Sequence, residues 1–414
     1  MDTEKLAIDG GAKTRTQAWP TVGKRFGEEE LQELREALDQ NTLFYMHGGK
    51  TKAFCAKLCQ TTGAKFALAC SSGTASIHAA LKACGVGPGD EVITTPITDA
   101  GTVVGIIYEG AIPVFADVDP ASYNITVDTI AARYTSRTRA VVVVHLQGNP
   151  ADIKPIVDFC RVRNLRLVED CAQAWGAKVD GQWVGTFGDV GCFSLNDFKH
   201  IGAGDGGAIV TNDEGLYRRA WLCIDKCYDR VRSSARGLPF CAPNYRITEL
   251  QSAVAIAQLG KLDRIVSRRN ELGRRLVDGL GKIDGLIPSK EAPGAYPTWW
   301  FHLIGLDPAK LGANAKVLGD AMRAEGIPCG SGYVAPVYLQ YEFFRTQAAF
   351  NHSTWPFSNG PVPPYGPGYC PNAERVALEC LNFPLNQWLS EQEIDDTLAA
   401  AAKVTAAFRK RAGR

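Results

Sequence analysis

No apolar run in the sequence approaches the ~20 residues that span a bilayer as a helix, so no membrane-spanning helix is expected. The opening, Met1-Asp-Thr-Glu-Lys, is charged and leads into no apolar segment, so no export signal is expected. Long blocks of like charge are absent: 45 Lys and Arg stand against 44 Asp and Glu, a formal net charge of +1. Nucleic acid and anionic membrane surfaces demand concentrated positive charge, so neither is expected as a partner. The 13 cysteines include no Cys-x-x-Cys pair, which removes the usual zinc and dithiol spacings, and no metal site is expected. Without an export signal these cysteines read as reduced, small core residues, and a cytoplasmic location is expected. Internal repeats are absent as well.

What is present is a 414-residue chain, 45% apolar and 21% charged, long enough for two domains and a large core. Short apolar strands are expected at Ala64–Cys70, Glu91–Thr95, Ile112–Ala116, Ala140–Val144, Leu165–Val168, Val190–Phe193 and Ala208–Thr211. Helical spacing fills several of the gaps, as at Ala75–Ala83, Asp99–Glu109, Val127–Tyr134 and Ile153–Arg163. This alternation predicts an α/β fold with a parallel sheet covered on both faces, and ligands in such sheets bind at the carboxyl ends of strands. A long helix is predicted over Thr248 to about Leu280. The chain then divides into a large domain, 1–260, with an irregular N-terminal arm, and a smaller domain, 261–414. Within the latter a strand is predicted at Thr298–Leu306, helices at Ala315–Gly326 and Glu391–Arg409, and a segment without regular structure at 330–371. A loop that long is usually functional or mobile.

The residues that carry chemistry all follow strands. Ser71-Ser-Gly-Thr-Ala-Ser opens a helix, where small residues let backbone N–H groups approach a phosphate, although Ser and Thr are also ordinary N-caps. Asp99 follows the second strand. His145 follows four valines, a place where a lone histidine is more often structural, and His78 and His302 read as structural. Asp170 ends a strand, with Gln173 one turn on. Lys199 lies between two buried strands, before the glycine cluster Gly202, Gly204, Gly206 and Gly207. A lone lysine is normally a solvated side chain. A lysine able to form a Schiff base and an acid able to pair with a pyridinium nitrogen are, however, the two protein groups that pyridoxal 5'-phosphate most needs. Such a lysine also serves as general base and acid when desolvation lowers its pKa. Ser194, at a strand end, is placed to donate to the phosphate.

Several stretches are more specific: Leu6-Ala-Ile-Asp-Gly-Gly-Ala-Lys-Thr-Arg-Thr, Ser71-Ser-Gly-Thr-Ala, Gly89-Asp-Glu-Val-Ile, Val118-Asp-Pro, His145-Leu-Gln-Gly-Asn-Pro-Ala-Asp-Ile, Glu169-Asp-Cys-Ala-Gln-Ala, Gly188-Asp-Val-Gly-Cys-Phe-Ser, Gly204-Asp-Gly-Gly-Ala and Asn244-Tyr-Arg-Ile-Thr-Glu-Leu-Gln. In order and spacing the chain resembles the DegT/DnrJ/EryC1/StrS sugar and aminocyclitol aminotransferases over nearly its whole length. The resemblance implies an α/β fold type I (aspartate aminotransferase-like), with a mostly parallel sheet in the large domain and a smaller α+β C-terminal domain, and a homodimer with each active site at the subunit interface. It implies Lys199 as Schiff-base lysine, Asp170 at the pyridinium nitrogen and Gln173 near the 3-hydroxyl. It also implies Gly73 and Thr74 binding phosphate by backbone, Ser194 by side chain, and Asn244 reaching the neighbouring subunit's cofactor phosphate. Lysine rather than histidine at 199 separates the chain from the family's dehydrase branch. Asp99 stands where an aromatic ring is common, and is taken as a cofactor-site residue able to hold a substrate hydroxyl or ammonium. Trp175 and Gln147 also depart from the usual residues, which bears on the acceptor. The 330–371 segment is similar in length and composition to the aminocyclitol aminotransferase and 3-amino-5-hydroxybenzoate synthase branch. Arg246, Tyr333 and Trp299 are candidates for holding substrate.

The function so implied is transfer of an amino group from glutamate or glutamine to a ketone on a sugar, cyclitol or related polar metabolite. It proceeds by ping-pong half-reactions through pyridoxamine 5'-phosphate. The alternatives are a dehydratase, lyase or cyclase using the same lysine, and a non-catalytic regulatory homologue.

Overall fold

The structure, a computed structural model, describes residues 5–230 and 238–413. After α1 (Glu28–Asp39) and α2 (Lys50–Thr62) the chain forms β1 (Phe66–Cys70), α3 (Gly73–Ala83), β2 (Glu91–Thr94), α4 (Ala100–Tyr108) and β3 (Ile112–Phe115). Then come α5 (Val127–Ala131), β4 (Thr138–Val144), α6 (Ile153–Val162) and β5 (Arg166–Asp170). A small hairpin of β6 (Lys178–Val179) and β7 (Gln182–Trp183) precedes β8 (Val190–Ser194), β9 (Gly207–Thr211) and α7 (Glu214–Ile224).

The longer strands make one seven-stranded sheet in the order β1-β9-β8-β5-β4-β2-β3. Its two faces are readable in β4: Val141 and Val143 enter one apolar core, Ala140 and Val142 the other. Burial on both faces is why these strands are nearly unbroken apolar runs rather than alternating ones. The sheet is parallel except at β9, which runs antiparallel to both β8 and β1. The physical reason lies in the connection. A parallel return needs a crossover, normally a helix, and the residues between Ser194 and Gly207 contain none, so the chain doubles straight back.

The 32-residue helix α8 (Glu249–Leu280) joins two packing regions. Leu259, Leu262 and Ile265 belong to the core of the large sheet, whereas Leu272, Leu276 and Leu280 belong to a second core. Beyond it lie β10 (Leu286–Pro288), β11 (Ala295–Tyr296), β12 (Phe301–Leu306), α9 (Pro308–Leu311), α10 (Ala315–Ala324) and β13 (Gly330–Ser331). The chain ends with α11 (Val337–Gln340), α12 (Glu342–Thr346), α13 (Pro371–Glu379), β14 (Cys380–Pro384) and α14 (Glu391–Arg411). Here the sheet is antiparallel, in the order β10-β12-β14-β13, while β11 joins the β6-β7 hairpin. Among the described residues, no helix is long and apolar enough to cross a membrane.

The 330–371 segment differs from expectation. It contains α11, α12 and a further helical turn at Phe357–Asn359, and it is not a free loop. Its aromatic side chains surround Phe115 of β3: the ring centroids of Phe344, Tyr338 and Tyr365 lie 5.3, 5.5 and 5.8 Å away. Proline and glycine prevent long regular elements here, but burial of large rings still fixes the chain.

Candidate active site

The carboxyl ends of β1, β2, β5 and β8 meet at a cleft of about 490 Å³, lined in part by Gly73, Thr74, Asp99, Thr102, Asp170, Ser194, Lys199 and Trp300. Strand ends gather there because six of the seven strands point the same way.

Asp170 is the last residue of β5 and is buried. Burial pushes its carboxyl above the ordinary value. Three features work against that rise: the Ala172 N–H donates to Oδ1 at 3.0 Å, Thr102 Oγ1 donates to Oδ2 at 2.8 Å, and Lys199 supplies a positive charge. Lys199 sits on the β8–β9 connection. Burial lowers its amine below the ordinary lysine value, opposed by the charges of Asp170 and Asp99. Its Nζ lies 3.9 Å from the centroid of the Trp300 indole, a cation–π distance.

On the other side of the cleft, α3 begins at Gly73, with the Ser72 hydroxyl accepting from the Ala75 N–H at 3.0 Å. The first-turn amides of Gly73 and Thr74 have no intrahelical acceptor, by helix geometry. A side chain at 73 would put its Cβ 2.8 Å from Ser194 Cβ, so glycine is required for α3 and β8 to approach this closely. Asp99 caps α4, accepting from the Gly101 N–H at 2.8 Å, and its carboxylate is exposed toward the cleft.

The structure therefore gathers Gly73, Thr74, Asp99, Asp170, Ser194 and Lys199. It places Gln173 and Asn244 outside the cleft lining. Gln173 is buried behind it, with Oε1 accepting from the Gln147 N–H at 2.8 Å. Asn244 is exposed, and its side-chain oxygen accepts from the Arg246 N–H at 3.3 Å. Of the substrate-holding candidates, Arg246 is ion-paired with Asp225 at 2.7 Å, and Tyr333 packs on Phe301 at 4.6 Å.

Three positions turn out to be joints rather than cleft residues. Trp175 is buried, with its indole N–H donating to the Ser194 carbonyl at 2.7 Å. Gln147, at φ 56°, accepts from the Leu303 N–H at 2.8 Å and so ties the large sheet to β12. His145 is paired with Glu169 at 3.1 Å, and its other ring nitrogen accepts from the Ala151 N–H. Glu169 also takes the amides of Gly185, Phe187 and Gly188, which makes this a structural network. His78 is held between Tyr245 and Glu109 and His302 is buried, and neither lines the cleft.

Trp300 was not singled out in the sequence; its neighbour Trp299 was. Trp299 is wholly buried in the second core, whereas Trp300 lines the cleft. No sequence signal separates the two, because Trp299 takes a left-handed φ of 43° and the alternation of extended chain does not apply to the pair.

The sequence profile of the DegT/DnrJ/EryC1/StrS aminotransferase family matches residues 24–401. The chain belongs to this family. It is 36% identical over 357 residues to the L-glutamine:2-deoxy-scyllo-inosose aminotransferase of Streptomyces kanamyceticus, covering 82% of this chain and 81% of that one. It is 33% identical over 388 residues to a UDP-N-acetyl-3-dehydro-alpha-D-glucosamine 3-aminotransferase of Acidithiobacillus ferrooxidans, covering 92% and 96%. Among solved structures, the aminotransferase from Psychrobacter cryohalolentis superimposes with a TM-score of 0.81 at 28% identity, over 95% of this chain and 99% of that one. The chain thus has the type I fold and is a pyridoxal-phosphate-dependent aminotransferase of this family.

Proposed function

We propose that Lys199 and Asp170 are the catalytic pair of this aminotransferase and that the cleft holds pyridoxal phosphate between them. The observation that carries the reading is one cleft with a desolvated amine, a buried strand-end carboxylate fixed by two donors, and the start of a helix packed through glycine against a serine. These features fit the group. Gly73 and Thr74 would take the phosphate by their amides, with favourable helix dipole, and Ser194 by its hydroxyl. Asp170 would pair with the ring nitrogen, and Gln173 would act from behind the cleft wall. When bound, the cofactor supplies an electron sink for the carbanion formed at the substrate carbon.

Lys199 would hold the cofactor through its amine and, once displaced, take the proton from the donor's Cα. Burial, which lowers its pKa, favours the neutral amine that can accept the proton. In the second half-reaction the same amine returns a proton to the acceptor carbon. Glutamine or glutamate would be the donor, and the acceptor a ketone on a polyhydroxylated ring, as the names of the relatives suggest for those enzymes. Asp99 would hold an acceptor hydroxyl or ammonium. The chain would act as a homodimer, with Asn244 of each subunit serving the other's phosphate site, which accounts for its position outside its own cleft. The thirteen cysteines, all free, suit a reducing cytoplasm.

Pyridoxal phosphate added to the protein is expected to give a visible absorption band that Lys199→Ala lacks. Glutamine or glutamate is then expected to bleach that band, and a keto-cyclitol or keto-sugar to restore it. An unchanged spectrum in Lys199→Ala overturns the assignment of the lysine, and a band that no amino donor bleaches overturns the donor reading.

A further inference from the structure

The β8–β9 connection carries Lys199 without helix or strand to stiffen it. Its amides are mostly satisfied locally: Lys199 N–H donates to the Asn196 carbonyl at 2.9 Å and Asp197 N–H to the Gly204 carbonyl at 3.1 Å. The carbonyls of Asp197, Phe198 and Lys199 point away from the loop, and all three are taken by side chains from remote parts of the chain. Arg25, on the N-terminal arm, donates from Nη1 to the Asp197 carbonyl and from Nη2 to the Lys199 carbonyl at 2.9 Å. Trp300, just before β12, donates from its indole N–H to the Phe198 carbonyl between them at 2.6 Å.

We infer that Arg25 and Trp300 form a brace of three successive carbonyls that positions Lys199 for proton transfer. The inference rests on the reading of Lys199 given above. Both members are themselves anchored. The Arg25 carbonyl accepts from Gln258 of α8 at 3.2 Å, and the Trp300 N–H donates to the Gln147 carbonyl at 2.8 Å. Room for the guanidinium depends on Gly202, whose Cβ, were there one, would lie 2.9 Å from Arg25 Nη1. A guanidinium presents a planar fork of donors able to serve two acceptors at once, whereas an ammonium is a single point charge. The indole has a second task, because its ring also faces the Lys199 amine. Arg25 touches the loop's backbone and not the reacting atoms, so it is a positioning residue, whereas Trp300 touches both the backbone and the Lys199 amine. Displacing a reacting group by about 1 Å costs on the order of 100-fold in rate, so a brace on the lysine's own carbonyl acts where small errors matter.

The test compares Arg25→Ala, Arg25→Lys and Trp300→Phe in the full-length holoenzyme. Trp300→Phe keeps an aromatic ring near the lysine but loses the N–H donor and the second ring of the indole, so Arg25→Ala, which leaves the ring in place, is the cleaner arm. For Arg25→Ala and Trp300→Phe, kcat of the donor half-reaction is expected to fall about 10- to 100-fold, with donor KM changing less than about threefold. Arg25→Lys is expected to recover part of that loss, since one carbonyl of the two is served. Amide exchange of residues 196–204, read on the same proteins, is expected to quicken while the melting temperature stays near that of the parent. Unchanged kcat with quickened exchange overturns the positioning role, and unchanged exchange overturns the brace itself. Exchange is read without turnover and is independent of whether Lys199 is catalytic. Quickened exchange in an enzyme whose Lys199→Ala spectrum is unchanged would therefore locate the error in the lysine assignment rather than in the brace.

Discussion

At the scale of single residues, the cleft works by setting desolvation against charge. Lys199 is pulled below its ordinary pKa by burial, and Asp170 and Asp99 each pull it back. The consequence can be read without the cofactor. In the apoprotein, Lys199 should react with a limiting amount of acetic anhydride at lower pH than the exposed lysines do, because a lowered pKa leaves a neutral amine further down the scale. Reactivity is then lost as pH falls through that lowered value. Asp99→Asn removes one of the two raising charges and should move the midpoint further down, while the side-chain oxygen of Asn still caps α4. Peptide mass spectrometry of acetylated Lys199 across pH checks both statements; a midpoint at the ordinary lysine value contradicts the desolvated site. Residue identity carried much of this reading, since a lysine and an acid at strand ends are visible in the sequence. The role of Trp300 was not visible, because which of two adjacent tryptophans faces the cleft depends on how the residues before β12 dock on Gln147.

At the scale of elements, the site depends on how tightly α3 packs on the end of β8. The contact is made by a glycine: a Cβ at 73 would strike Ser194, just where both elements contribute to the cleft. Gly73→Ala should therefore separate them. The expected result is a loss of about 1–3 kcal/mol of stability from overpacking, together with weaker pyridoxal phosphate binding. Thermal unfolding and a spectroscopic cofactor titration measure the two effects, and parent-like behaviour in both contradicts the packing argument. Strand and helix positions were largely legible because a buried parallel sheet writes itself as short apolar runs. The antiparallel course of β9 was not, since it follows from a connection that lacks a helix rather than from anything in the strand. What orders the largely irregular 330–371 segment was not legible for a related reason. Composition showed the proline and glycine that interrupt regular elements, but not the shared partner, Phe115, that gathers its aromatic rings.

At the scale of the whole molecule, each active site is proposed to need two subunits, with Lys199 from one and Asn244 from the other. Lys199→Ala and Asn244→Ala homodimers should both be weak or inactive. Unfolding and refolding them together at equal concentration yields heterodimers with one complete site, and activity should return to about one quarter of the parent's, as expected for random pairing in a twofold dimer. No recovery means that the two residues serve the same subunit. The sequence by itself determined the alternation of strand and helix, the strand ends that carry Asp170 and Lys199, and the family, because these depend on local apolar pattern and on residue identity in order. Only the tertiary structure decided that Trp175, Gln147 and His145 are buried joints, that Trp300 rather than Trp299 faces the lysine, and that Arg25 reaches the lysine loop. Those outcomes depend on contacts between residues far apart in the chain, such as Arg25 with Lys199 and Phe198 with Trp300, and contacts of that span leave no periodicity to read.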